Sequence, residues 1–171
     1  MTSQLRQMKS HKMEYKKASY RDIEIYNLKE ESPRIRFSTH FVLGEFACKD
    51  ESPVILVHPD LPLLLDAIRK KLFLKYCTDV VIKINSGYRT VSYNKKIGGE
   101  ENSRHIFGMA ADIVAFYRED GRKVVISPSV VAEIAEDLGA GGVGLYDTFT
   151  HVDVFGENRR FDKRTNAKRS I

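Results

Sequence analysis

The sequence predicts an α+β fold, with a mostly antiparallel sheet and flanking helices. Segments of helical periodicity alternate with short β-branched runs along the chain. The later strands are separated by tight-turn signals such as Glu119-Asp120-Gly121, which suit hairpins better than crossovers. The 171 residues make one ordinary domain, and the 42% apolar content is enough of a core to exclude a wholly disordered chain. A domain of this size buries roughly 70% of its unfolded surface.

Residues 1–36 alternate Lys, Glu and Tyr with little pattern and read as a basic arm. Within it RDIEIYNL could add an edge strand, since Ile23 and Ile25 alternate. The organised domain is expected over 37–155. It opens with STHFVLGEFA, a short helical turn or the entry to a strand. Residues 59–76, PDLPLLLDAIRKKLFLKY, give the clearest helix: Leu61, Leu64, Leu65, Ile68 and Leu72 recur at steps of three and four. VVIKIN at 80–85 reads as a central strand. Thr90 caps a short helix that Gly98 ends. AADIVAF at 110–116 and KVVI at 123–126 are strands, and Ser127-Pro128 opens a helix running through Val131, Ile134 and Leu138. AGGVGLY is rich in Gly and suited to close backbone approach. THVDVF at 150–155 is the final strand, and 156–171 is a second basic tail.

The net charge of +5 is unevenly spread. Residues 1–20 and 156–171 each carry a net +4, and the body between them is slightly acidic. Such ends suit a polyanion or a solvated tail. No zinc-finger or helix-turn-helix spacing appears, and no stripe mixes aromatic with basic residues, so no nucleic-acid partner is expected. No apolar run approaches the ~18 residues of a membrane span, so no membrane insertion is expected. The N-terminus lacks the apolar core of a secretory signal, which predicts synthesis in the cytoplasm without a signal peptide. Cys48 and Cys77 are far apart and are expected to be small buried hydrophobes.

Of the five histidines, His11 lies in the arm, and His40 and His58 flank apolar runs, as structural histidines do. His105 lies in SRHIFGMAADI, seven residues before Asp112. His151 lies in THVDV, where strand alternation puts His151 and Asp153 on one face. Asp112 sits among apolar neighbours, an expensive place for a carboxylate unless it is paired or bound to a cation. Two imidazoles and a carboxylate are a common set for a catalytic zinc; a plain Asp–His hydrogen bond is the other reading.

Four segments, NSGYRT with Tyr93-Asn94, GGEENSRHIFGMAADI, GGVGLY and FTHVDV, resemble the zinc D-alanyl-D-alanine carboxypeptidase family. That family includes L-alanyl-D-glutamate endolysins and murein endopeptidases, and its fold is shared with hedgehog signalling domains. FVLGEFACKD and LVHPDL extend the likeness to its cell-wall-lytic branch. The resemblance implies a zinc peptidase (Zn2+ cofactor) acting on peptidoglycan peptides. It implies His105, Asp112 and His151 as metal ligands, and Arg89, Tyr88 and Ser103 as residues facing the substrate, with the Arg89 guanidinium also a catalytic candidate that clamps a peptide carboxylate or steadies the developing oxyanion. Whether the bond cut is terminal (D-Ala-D-Ala) or internal stays open. A monomer is expected, as is a phage-type lysin released by a separate holin-type protein.

One position departs from the family pattern. Many members carry an acidic general base three residues before the third ligand, where this chain has Thr148. Asp153 is preferred as the base because it shares a face with His151, with Asp147 as the alternative. Asp153 could instead only orient the imidazole. The missing acid also keeps a second function open, a non-catalytic zinc-containing binding module of the hedgehog kind.

Overall fold

The computed structural model describes residues 20–165. His11 and most of the expected arm, and the end of the expected C-terminal tail, lie outside them. β1 (Glu24–Asn27) and β2 (Val54–Val57) pair antiparallel in a small sheet. The main sheet runs in the order β3 (Val80–Ser86), β4 (Ala110–Glu119), β7 (Thr150–Asp153), β6 (Gly142–Leu145), β8 (Arg159–Asp162). β5 (Arg122–Val125) pairs with the far end of β4 through the expected hairpin, whose turn residues Asp120 and Gly121 have φ of 50° and 75°. All pairs in this sheet are antiparallel except β6 with β8.

α1 (Asp60–Tyr76) packs on β3 and β4 and on α3 (Pro128–Asp137), which in turn covers β6 and β7. The five apolar residues that predict α1 are all buried. Each contributes roughly 1.5–3 kcal/mol by leaving water. They meet Ala111, Ile113 and Ala115 of β4 and Val143 and Val152 of the neighbouring strands in one core. Thr90 caps α2 (Val91–Lys96) by accepting from the Tyr93 amide, and Ser127 caps α3 by accepting from Ser129.

His40 and His58 are structural. His40 lies between Asp66 and Arg69 at 2.8 Å from each, and His58 Nδ1 accepts from the Asp60 amide. Cys48 is buried as expected, but Cys77 is exposed: it ends α1 in a left-handed conformation, φ 52°, and its thiol, in no disulfide, donates to Leu74 O at 3.8 Å.

Two stretches differ from expectation in a way that matters for function. GGVGLY, read only as suited to close approach, forms the strand β6, and the basic segment after Phe155 returns as β8 instead of leaving the domain. The glycines of β6 make this possible. A Cβ at Gly144 would lie 2.2 Å from the Phe161 ring, and one at Gly142 would lie 2.0 Å from Asp153 Oδ2, so neighbouring strands fill the space that β6 leaves.

Candidate metal centre

Sheet register assembles the centre. Asp112 of β4 stands directly across from His151 of β7, and Ser86 of β3 is the next partner along the same row. Odd and even positions part cleanly here: Thr150 and Val152 turn to the helices, while His151 and Asp153 turn to the other face. His105 arrives from a separate element, the 3-10 turn Arg104–Phe107, which the left-handed Gly108 (φ 65°) ends. His105 Nε2 lies 3.2 Å from both Asp112 Oδ1 and His151 Nδ1, and those two atoms are 3.0 Å apart. Among the described residues this is the group of acidic or imidazole side chains able to share one ion.

The outer hydrogen bonds decide what these atoms are. His105 Nδ1 lies 2.7 Å from the Gly87 carbonyl, which can only accept, so Nδ1 carries the proton and Nε2 a lone pair. His151 Nε2 faces the Asp153 carboxylate at 3.4 Å, which leaves His151 Nδ1 the lone pair. Three acceptors then converge with no donor between them, an arrangement that repels itself unless a cation lies among them. Four donors held tetrahedrally at about 2.0–2.1 Å from zinc are roughly 3.3 Å from one another, close to the separations found here.

Without a metal, a proton takes the cation's place. Burial pulls the His151 imidazole down, but hydrogen bonds to Asp112 and Asp153 outweigh it, and its pKa is raised. His105 goes the other way, lowered chiefly by burial. Burial also works against the Asp112 and Asp153 carboxylates, yet both are held below the ordinary range, Asp112 by the two imidazoles and Asp153 by His151 first. Arg89 reinforces Asp112: its guanidinium donates to Asp112 Oδ2 and through Nε to Ser86 Oγ at 2.8 Å.

The centre opens into a cleft of about 400 Å³. Arg89, Ser103 and the three donors line it, and the Ser103 hydroxyl makes no capping bond that would occupy it. Three expected residues are elsewhere. Tyr88 packs against the core beside Cys48 and Asp50, while Arg89 next to it lines the cleft. Asp147 is exposed and accepts from the Thr165 amide and hydroxyl. Asp153 is 1% exposed and lies on the far side of the His151 ring from the donors, where it also accepts from Phe155 N and, at 3.4 Å, from Arg159. It shares a face with His151, but beneath it.

The cleft also holds residues that sequence reasoning missed: Glu100, Arg104, Tyr146, Phe149, Arg159, Phe161 and Lys163. Tyr146 stacks on Phe149 at 4.2 Å, and burial followed by the nearby Asp112 charge raises its pKa, so it is a neutral phenol. Arg104 lies 3.6 Å over the Phe155 ring and donates to Tyr20 and Glu157, tying the start of the described chain and the segment before β8 beside His105. The period-two spacing of Arg159, Phe161 and Lys163 was a legible signal, masked by the basic composition around it.

Comparison with known proteins agrees with this geometry. The zinc D-Ala-D-Ala carboxypeptidase of Streptomyces albus G is 36% identical over 83 residues, which cover 48% of this chain. The match spans only 31% of that relative's own length. The Peptidase M15 family model matches residues 39–153, a stretch that contains all three donors. With two thirds of its length matched, the chain belongs to the Peptidase M15 family.

Proposed function

We propose that this protein is a zinc-dependent peptidase that hydrolyses peptide bonds of bacterial peptidoglycan stem peptides. The observation that carries this is the convergence of three lone pairs, from His105, Asp112 and His151, on one point at the floor of an open cleft. The named relative is a zinc carboxypeptidase for D-Ala-D-Ala, which supports both the metal and the wall peptide.

His105 Nε2, Asp112 Oδ1 and His151 Nδ1 would hold the ion. Zinc bound there supplies a Lewis acid that polarises a carbonyl and makes water more acidic. The remaining work falls to the chain. Arg89 orients Asp112 by donating to its Oδ2. The Ser103 hydroxyl and the neutral Tyr146 phenol, both in the cleft, donate to the substrate's amide carbonyls. Glu100 is the lining carboxylate that is not a donor to the ion. We assign it the proton taken from the attacking water and returned to the leaving amine, a role typically contributing ~10²–10⁴-fold. Asp153 in this reading is a positioning residue for His151, not the base.

We take the working form to be a monomer. Its target lies in the wall, reached as a lysin released by a separate membrane-permeabilising protein.

One observation favours a second reading, a zinc-holding binding module: Thr148 is no acid, and Asp147 and Asp153 are both turned from the cleft. The experiment that decides is metal analysis of the purified protein with mass spectrometry of digested peptidoglycan. Bound zinc and new fragment masses establish the peptidase and identify the bond. Bound zinc without hydrolysis favours the binder, and no zinc uptake at all overturns both.

A further inference from the structure

The positive charge of the cleft is divided unequally. Arg89 is committed to Asp112 and Ser86, and Arg104 to Glu157 and Tyr20. The cations left over both come from the β8 segment. Lys163 has no charged partner among the described residues, and its backbone is fixed by donation to Leu145 O at 2.8 Å. Arg159 reaches the buried Asp153 at 3.4 Å and lies 5.6 Å over the Phe161 ring, and its side chain remains 36% exposed.

Their placement follows from strand alternation. Arg159, Phe161 and Lys163 all face the cleft. The intervening Arg160 turns away and spends its donors on Gly141 O, Ala140 O and Glu136, and Asp162 is held by Arg164. The structural bonds of β8 are thus made by the outward residues, and the inward cations are spare. Between them, Phe161 offers an apolar floor, its ring 5.5 Å from the His151 ring.

We propose that Arg159 and Lys163 form an anion-reading subsite that takes a carboxylate of the peptide substrate, away from the bond being cut. This deepens, and rests on, the peptidase reading above. β8 stands two strands from β7, roughly 10 Å in backbone spacing. A carboxylate held there is about three extended residues from the donors, at the opposite end of the row from Arg89. The ligand class is therefore an acidic peptide: stem peptides with free carboxylates are preferred over the same peptides as carboxamides. Exposed cations give specificity of this kind without a large share of total affinity.

The test uses zinc-loaded protein and one stem peptide in two forms, with free carboxylates and with those groups amidated. Binding is measured by calorimetry and cleavage by mass spectrometry. Wild type is expected to prefer the free acid about tenfold, and rising salt is expected to erode that preference. Lys163→Gln and Arg159→Gln should each remove most of it, mainly through KM, and Arg159→Lys should restore part. Lys163→Gln is the cleaner variant, since Arg159 also touches Asp153. Equal binding of both peptides, or a preference unchanged in both Gln variants, overturns the subsite even if cleavage proceeds. A preference in binding that the variants abolish, without any cleavage, upholds the subsite and overturns the peptidase. Failure of wild type to bind either peptide overturns both.

Discussion

Asp153 and His151 sit two residues apart on one face of β7, and the carboxylate lies 3.4 Å from His151 Nε2, the nitrogen turned away from Asp112. A buried anion behind an imidazole fixes its tautomer and raises its basicity toward whatever the other nitrogen binds. Asp153→Asn is therefore expected to weaken zinc binding by about 10- to 100-fold and to leave most turnover intact at saturating zinc. If Asp153 were instead the base, kcat would fall by ~10²–10⁴-fold with zinc saturating. Turnover measured across a zinc titration separates the two.

Gly142 gives an independent approach to the same carboxylate. A methyl group there would lie 2.0 Å from Asp153 Oδ2, so Gly142→Ala must move Asp153 or β6. The expected cost is about 1–3 kcal/mol of stability, read from denaturant midpoints, together with a loss of zinc affinity resembling that of the Asp153 variants. Normal stability with normal zinc affinity would show that the contact is dispensable.

Glu100→Gln keeps the shape of the cleft wall and removes its free carboxylate. The expected result is a fall in kcat of ~10²–10⁴-fold with near-normal zinc content. An unchanged kcat would assign the proton transfer to another group.

The two imidazoles make opposite contributions to pH dependence in the metal-free protein. The lowered His105 stabilises the fold above the ordinary histidine pKa of about 6.5, and that contribution is lost as pH falls. The raised His151 stabilises it below about 6.5, and that contribution is lost as pH rises through its folded value. Urea midpoints measured in chelator should therefore peak near pH 6.5. Because zinc must displace the His151 proton, its apparent affinity should drop as pH falls through that window, and calorimetry in buffers of different ionisation enthalpy should detect proton release.

Much of this fold was legible because strong local signals agreed with tertiary need. The apolar stripe of α1, the Thr90 and Ser127 caps and the Asp120-Gly121 turn each form where the residues indicate. β2 was missed because VILV is too short an apolar run to declare its geometry. β6 and β8 were missed for complementary reasons. Gly142 and Gly144 carry no pattern because their function is to leave room, and the residues filling that room, Asp153 and Phe161, belong to other strands. Arg159 and Lys163 read as tail by charge, although their spacing is that of a strand. Alternation told which side Asp153 faces but not its depth, and depth decides between a group that meets substrate and one that steadies a neighbour.

The fastening of Tyr20 and Glu157 to Arg104 has a mechanical consequence. Arg104 adjoins His105, so any displacement of Tyr20 or Glu157 would be felt one peptide unit from a donor atom.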